Sequence, residues 1–215
     1  MVYFALQSNR VGMSELNKAL ADILEIRTRI AAGTPFRGYG PLAMSVTGLI
    51  GLATALLQSF WLPASNPADF VTTWMVAGIL CVTVVRIEMQ GRSRRHHSTL
   101  ATAMINQAIE QFLPAAAASV FLPLFIVQFA PQSAWLLPGL WQVLVGIGIF
   151  ASLRSLPRVI ALAGGWYFLS GFACLALASQ SHALIPWAMG LPFLIGQMLI
   201  AFLLHYSARG QDDEA

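Results

Sequence analysis

Six long apolar segments, separated by short polar breaks, constrain this chain more than any other feature. They cover residues 42–62, 70–87, 112–130, 134–153, 159–178 and 183–204. A helix needs about 20 apolar residues to cross a bilayer. Only one of the six contains a charged residue, Arg86, and it lies at the end of its segment. The pattern predicts an all-α integral membrane protein with six transmembrane helices in three in-out-in hairpins.

Composition supports this class. Of the 215 residues, 57% are hydrophobic and 10% are charged, whereas soluble domains are about a quarter charged. So few charges cannot cover a surface that faces water, so lipid must cover part of it. We predict three regions: a cytoplasmic amphipathic segment at 1–40, a transmembrane domain at 41–206 and a short acidic cytoplasmic tail at 207–215.

The basic residues predict the orientation in the membrane. The 12 Lys and Arg residues lie before the first apolar segment, in or at the edge of the second and fourth links between segments, or after the last segment. Short basic links stay in the cytoplasm. Both termini are therefore predicted to be cytoplasmic. Ala-rich composition and short loops favour a bacterial inner membrane.

The segment at 14–32 has the pattern of an amphipathic helix. Leu16, Leu20, Ile23 and Leu24 fall largely on one face, and charged residues fall on the other. Such a helix either lies on the inner leaflet or packs against a cytoplasmic link.

The second link carries a run of basic residues and is a candidate cytoplasmic contact surface. Its members are Arg92, Arg94, Arg95, His96 and His97. Arginines there attract anionic lipid headgroups, each contributing roughly 1 kcal/mol, or contact a cytoplasmic protein partner. Adjacent histidines on a helix point about 100° apart, so we predict no metal site. A nucleic-acid surface would need more basic residues and interleaved aromatic residues, so we predict no nucleic-acid partner.

Polar residues within or beside the spans form a second candidate site. The set is Arg86, Gln142, Tyr167, Ser170, Gln197 and His205. They either line a small cavity between helices or make interhelical hydrogen bonds. The middle of each span lacks Asp, Glu, Lys and His. That weighs against a proton- or cation-coupled pump, which needs ionisable groups at depth.

Small residues predict close helix packing. The first and fifth segments carry them at near-helical spacing, at Gly48, Gly51, Ala55, Gly164, Gly171, Cys174 and Ala178. Such faces let two helices approach and gain dispersion contacts. They fit either a contact within one chain or a contact between two copies. Prolines at 123, 138 and 192 predict kinks.

No catalytic motif is present in the sequence, so we predict a protein that is not an enzyme and that has no catalytic residues and no cofactor. The leading hypothesis is a regulatory, sensory or scaffold component that contacts a cytoplasmic partner or forms a homo-oligomer. The alternative is a transporter or permease-like subunit with a cavity between its helices.

Overall fold

A computed structural model of the protein describes the backbone of residues 40–62, 66–96 and 99–212. Side chains are described for 40–62, 66–91 and 106–206. The predicted amphipathic helix at 14–32 lies outside these residues, as does His97.

Six α-helices account for most of the described chain. They are α1 (Pro41–Phe60), α2 (Pro67–His96), α3 (Thr99–Phe129), α4 (Leu137–Ala151), α5 (Ala161–Ser181) and α6 (Pro186–Asp212). Short 3-10 turns cover Pro131–Leu136, Ser152–Arg154 and Arg158–Ile160. The described residues contain no strand. Six helical stretches are long and apolar enough to cross a bilayer, which confirms the all-α class and indicates an integral membrane protein.

Local sequence sets several helix ends. Proline, which suits the first turn because no backbone donor is needed there, occurs at the start of α1, α4 and α6. Asn66 accepts a hydrogen bond from the Asp69 amide at 3.0 Å, which is an N-cap arrangement for α2. At the end of α5, His182 adopts a left-handed conformation with φ 52°.

The helices pack unequally. The most extensive contacts join α1 to α6 and α4 to α5, whereas α2 and α3 contact each other sparsely. Half of the α4 span is buried, compared with 17% of the α3 span. Thus α4 is the most enclosed helix, and α3 presents most of its surface to the surroundings.

Two apolar clusters lie at different levels of the bundle. The first joins Phe70, Trp74, Ile126, Leu137 and Trp141. It gathers the start of α2, the end of α3 and the start of α4. The second gathers the start of α1 and α5 with the ends of α4 and α6, through Met44, Tyr167, Ile149 and Leu204.

Two helices continue beyond their apolar stretches. The apolar segment 70–87 ends before α2 does, because the helix continues to His96. The apolar segment 112–130 begins after α3 does, because the helix starts at Thr99. Helical hydrogen bonding within the backbone does not require an apolar sequence, so both helices extend past the span that hydropathy defines.

Candidate functional site: a polar network between helices

Gln142 joins three helices from the buried face of α4. Its side chain is only 1% exposed. The Nε2 group donates to the carbonyl oxygen of Ala188 on α6 at 2.8 Å. Oε1 accepts from the hydroxyl of Ser170 on α5 at 2.8 Å. The amide therefore links α4, α5 and α6 at one point.

Pro192 explains why the Ala188 carbonyl accepts these bonds. In a helix, this oxygen would normally receive the N–H of residue 192, but proline has none. Gln142 supplies a donor in its place. The Cys174 thiol also donates to the same oxygen, at 3.3 Å. The proline thus creates an acceptor that neighbouring helices satisfy.

Two further donors from α5 reach the α6 backbone nearby. Trp166 Nε1 donates to the carbonyl of Pro192 at 2.9 Å. The hydroxyl of Tyr167 donates to the carbonyl of Phe193 at 3.2 Å. Tyr167 is fully buried, so this bond satisfies a polar group that has no access to water. Two consecutive carbonyls of α6, those of Pro192 and Phe193, therefore each accept a hydrogen bond from a side chain of α5.

Gln197 connects this region to α1. Its Oε1 lies 3.2 Å from the hydroxyl of Thr47. That hydroxyl also lies 2.8 Å from the carbonyl of Met44, and its one proton serves one acceptor at a time. The polar network, defined as Thr47, Gln142, Tyr167, Ser170 and Gln197, thus spans α1, α4, α5 and α6.

The same proline arrangement occurs a second time, on the other side of α4. Pro123 lies inside α3, so the carbonyl of Ser119 lacks its helical donor. Trp141 Nε1 donates to that oxygen at 2.7 Å. Adjacent residues of α4, Trp141 and Gln142, therefore each bond a carbonyl that a proline has freed, one on α3 and one on α6.

The structure brings together four of the six residues in the predicted polar set. Gln142, Tyr167, Ser170 and Gln197 belong to the network described above. Arg86 and His205 are exposed on the surface of the bundle and lie outside it. Of the predicted contact surface, Arg92, Arg94, Arg95 and His96 fall on the final turns of α2.

Small residues of α1 lie against α6. A Cβ atom added to Gly51 would lie 2.5 Å from Cδ1 of Phe193, and one on Gly48 would lie 3.0 Å from Cβ of Gln197. Ala55 is fully buried and lies beside Gly190. These contacts are within one chain.

Small residues of α5 lie against α4 in the same way. A Cβ atom on Gly171 would lie 2.7 Å from Cγ2 of Val143 and 2.8 Å from the carbonyl of Gly139. A Cβ atom on Gly164 would lie 3.1 Å from Cγ2 of Ile149. Further along α5, Cys174 and Ala178 are half-buried. The close approach of the two backbones depends on the absence of side chains at Gly139 and Gly171.

Sequence reasoning missed two other interhelical bonds. The carboxylate of Glu88, on α2, accepts from the amide of Ala43 in the first turn of α1 at 2.9 Å. A negative group there compensates free amides and the positive end of the helix dipole. Trp74 Nε1 donates to Oε1 of buried Gln58 at 2.8 Å. Glu88 could have been found as an acidic residue near the end of a span, where an unpartnered charge is costly.

The chemistry of this arrangement is hydrogen bonding between neutral groups. Its donors are amides, hydroxyls, indoles and a thiol, and most acceptors are backbone carbonyls. Within the described residues, no group of three or more His, Cys, Asp and Glu residues could hold a metal ion. The network ties helices together at fixed points.

Comparison of the chain with protein-family models, with curated proteins and with solved structures finds no match. The class of the protein, a six-helix integral membrane bundle, therefore rests on its sequence and structure.

Proposed function

We propose that this protein is a non-enzymatic regulatory, sensory or scaffold component of a membrane, and that it contacts a cytoplasmic partner through a basic helical extension. The observation that carries the proposal is the continuation of α2 past the apolar segment 70–87, as far as His96. Arg92, Arg94 and Arg95 lie on this extension. A helix fixes the positions of its charged residues relative to one another, so that a partner meets a defined arrangement of charge. A flexible link would not hold such an arrangement.

The distribution of arginines supports a cytoplasmic location for this extension. Val84 and Val85 of α2 pack on the same apolar cluster as Leu153 and Leu156, which flank Arg154 in the chain. The ends of α2 and α4 therefore lie together, and the arginines beside them share one side. Basic residues mark the cytoplasmic side. With six spans, both termini belong there too, and composition favours a bacterial inner membrane.

The polar network supports a fixed scaffold over a transport pathway. Both polar atoms of the Gln142 side chain have protein partners, and the Tyr167 hydroxyl also has one. Groups used in this way hold helices together. A transport pathway instead needs polar groups that can exchange partners with a passing solute, as at the discontinuous helices of secondary transporters.

Charge removal on the extension tests the proposal. A photo-crosslinking residue at Gly91, which is exposed, would capture cytoplasmic contacts in cells. We expect replacement of Arg92, Arg94 and Arg95 by Gln to remove most adducts to a cytoplasmic protein. In inverted vesicles, the yield of adducts formed by the unchanged protein should fall as the salt concentration rises, because screening weakens the attraction between charges. Replacement of His96 and His97 by Gln should leave them in place.

The matched control removes two basic residues elsewhere. Arg154 and Arg158 are exposed in the other basic link, and their replacement by Gln should leave the adducts unchanged. A double His variant that loses the adducts, alongside a triple Arg variant that keeps them, would contradict the proposal. Equal loss in the triple variant and in the control would show a general charge effect and would also contradict it.

A further inference from the structure

The C-terminal ends of α2 and α6 carry opposite charges. Arg92, Arg94 and Arg95 lie on the final turns of α2. Three consecutive acids, residues 212–214, begin at the last residue of α6 and form what we call the acidic segment. The chain has nine Asp and Glu residues in all, so a third of them fall at this one place.

Two contacts fix how α2 and α6 lie beside each other. A Cβ atom on Gly190 of α6 would lie 3.6 Å from Cη2 of Trp74 on α2. Further along, both helices reach Thr47 of α1, where Cys81 Sγ lies 3.8 Å from the carbonyl oxygen and Gln197 Oε1 lies 3.2 Å from the hydroxyl. The same interval, seven residues, separates the two contacts on α2 and on α6. The two helices therefore run parallel and in register.

This register brings the charged ends to one level. Beyond the second contact, neither helix contains an internal proline. Fourteen residues past that contact lie Arg95 on α2 and Gln211 on α6. Asp212 is therefore within about 6 Å of all three arginines along the helix axis, at 1.5 Å per residue. Nearer the bundle, Val85 and Leu204 pack on the same apolar cluster, so the two helices remain neighbours as they approach their ends.

The acids lie where a helix does not favour them. The C-terminal end of a helix carries a partial negative charge, which attracts cations and repels anions. Arginines at the end of α2 are favourable for this reason, whereas acids at the end of α6 are unfavourable without a positive group nearby. Arg209 provides one positive charge on the last turns of α6, against three acids. The arginines of α2 provide the rest at the same level.

We propose that the acidic segment binds the basic extension of α2 within the same chain, and so competes with the cytoplasmic partner for it. This regulation rests on the proposed function of the extension. Three charges of one sign meet three of the other, and the tether through the bundle gives the segment a high effective concentration. Exposed ion pairs contribute little each, so a partner with a larger acidic surface displaces the segment.

A cross-link between the two ends tests the contact. Ser93→Cys and Ala215→Cys are introduced into the full chain without its two native cysteines, and a short bifunctional thiol reagent joins them in lipid vesicles. We expect a cross-link within one chain. The neutral variant carries Asp212→Asn, Asp213→Asn and Glu214→Gln. Its cross-link yield should be lower by about threefold or more, as a few exposed ion pairs imply.

The matched control removes three acids elsewhere. Glu15→Gln, Asp22→Asn and Glu25→Gln change the net charge by the same amount, and the cross-link yield should not change. Replacement of the three arginines of the extension by Gln should lower the yield as the neutral variant does. The yield of the unchanged protein should also fall as the salt concentration rises, because the contact is between charges.

A second measurement separates this inference from the proposed function. The photo-crosslinking residue at Gly91 should give about threefold more adducts with the cytoplasmic protein in the neutral variant, because the ion pairs that cover the extension are lost. Replacement of the three arginines by Gln in the neutral variant should remove this gain. If the thiol cross-link responds as expected but no variant forms adducts that need the arginines, the contact stands, and both the competition and the proposed function fail.

Three other outcomes would overturn the inference. One is a cross-link yield that is equal in the neutral variant and the unchanged protein, in vesicles with and without phosphatidylglycerol. Another is a cross-link that forms only between chains, which would assign the acidic segment to a second copy. The third is an adduct yield that depends on the arginines but does not rise in the neutral variant, which would show that the segment does not compete with the partner.

Discussion

Gln142 Nε2 donates to the carbonyl oxygen of Ala188 at 2.8 Å, and that oxygen is the acceptor that Pro192 leaves without its helical donor. The cost of a proline inside α6 is therefore partly offset by a bond from another helix. Proline is tolerated inside membrane helices when a neighbouring helix satisfies the freed carbonyl in this way. Trp141 and the Ser119 carbonyl repeat the relationship on α3.

Gln142→Leu should lower the free energy of unfolding by about 0.6–2 kcal/mol, because interhelical hydrogen bonds in membranes contribute that much. In a Pro192→Ala background the cost should be smaller, since residue 192 then supplies its own N–H to the Ala188 carbonyl. The free energies of unfolding of the unchanged protein, the two single variants and the double variant are measured in detergent. They give the coupling energy between Gln142 and Pro192, which should reach about 0.5 kcal/mol or more. Thr54→Val, which removes a hydroxyl bonded to the Ile50 carbonyl of its own helix, serves as the control that leaves Gln142 and Ala188 untouched. An equal cost in both backgrounds would show that the proline and the glutamine act independently.

Trp141→Phe should destabilise the protein by about 0.6–1.5 kcal/mol, because the ring remains apolar while the 2.7 Å bond to Ser119 is lost. The control repeats Trp141→Phe in a Pro123→Ala background, where residue 123 supplies its own N–H to the Ser119 carbonyl and the loss of buried ring area is the same. Thermal unfolding followed by circular dichroism compares the cost in the two backgrounds. Equal costs would mean that loss of indole area, and not the bond, sets the effect.

Gly171→Leu should destabilise the bundle by about 1–3 kcal/mol, because a side chain there overfills the contact with Val143 and Gly139. Gly165→Leu provides the control on the same helix, where an added Cβ meets nothing within 4 Å. There the change should be neutral or stabilising, since glycine is unfavourable inside a helix by up to about 1 kcal/mol. The melting temperatures of the two variants in detergent should differ in this direction. A Gly171 variant as stable as its control would show that α5 tolerates a side chain on its α4 side.

Gln132→Cys should react with an impermeant thiol reagent in intact cells, in a background with Cys81 and Cys174 replaced. Gln132 is exposed in the turn after α3, on the side that the arginine distribution predicts to be outside. Gly91→Cys, at the base of the basic extension, should react only once the membrane is opened. Labelling of Gly91→Cys from outside, with Gln132→Cys protected, would reverse the orientation.

The positions of the spans could be predicted from the sequence because each is a local property of composition. The expected segment 42–62 corresponds to α1 at Pro41–Phe60, and 183–204 overlaps α6, which begins at Pro186. Hydropathy reports where an apolar stretch ends, however, and not where a helix ends. The polar turns that extend α2 to His96 were therefore predicted as a link.

The polar network was predicted only in part, for a physical reason. Gln142, Tyr167, Ser170 and Gln197 are visible as polar residues in apolar segments, but Gln142 and Tyr167 donate to backbone carbonyls, which every residue has. The usable signal was a proline four residues after the acceptor, as at Pro192 and Pro123. Arg86 and His205 were grouped with the network because each shares a helix face with polar neighbours. Such a face does not reveal which way the helix is rotated in the bundle.

The sequence by itself determined that the chain has six helices long and apolar enough to span a membrane, because the transfer of apolar side chains into lipid depends on local composition alone. Only the tertiary structure decided which faces meet. Lipid tails are as apolar as leucine, so an apolar residue is equally suited to the bundle interior and to the lipid, and hydrophobicity cannot mark the inner face. Close backbone approach at Gly139 and Gly171 and donors that reach carbonyls freed by prolines settle that choice, and both are relationships between residues far apart in the chain.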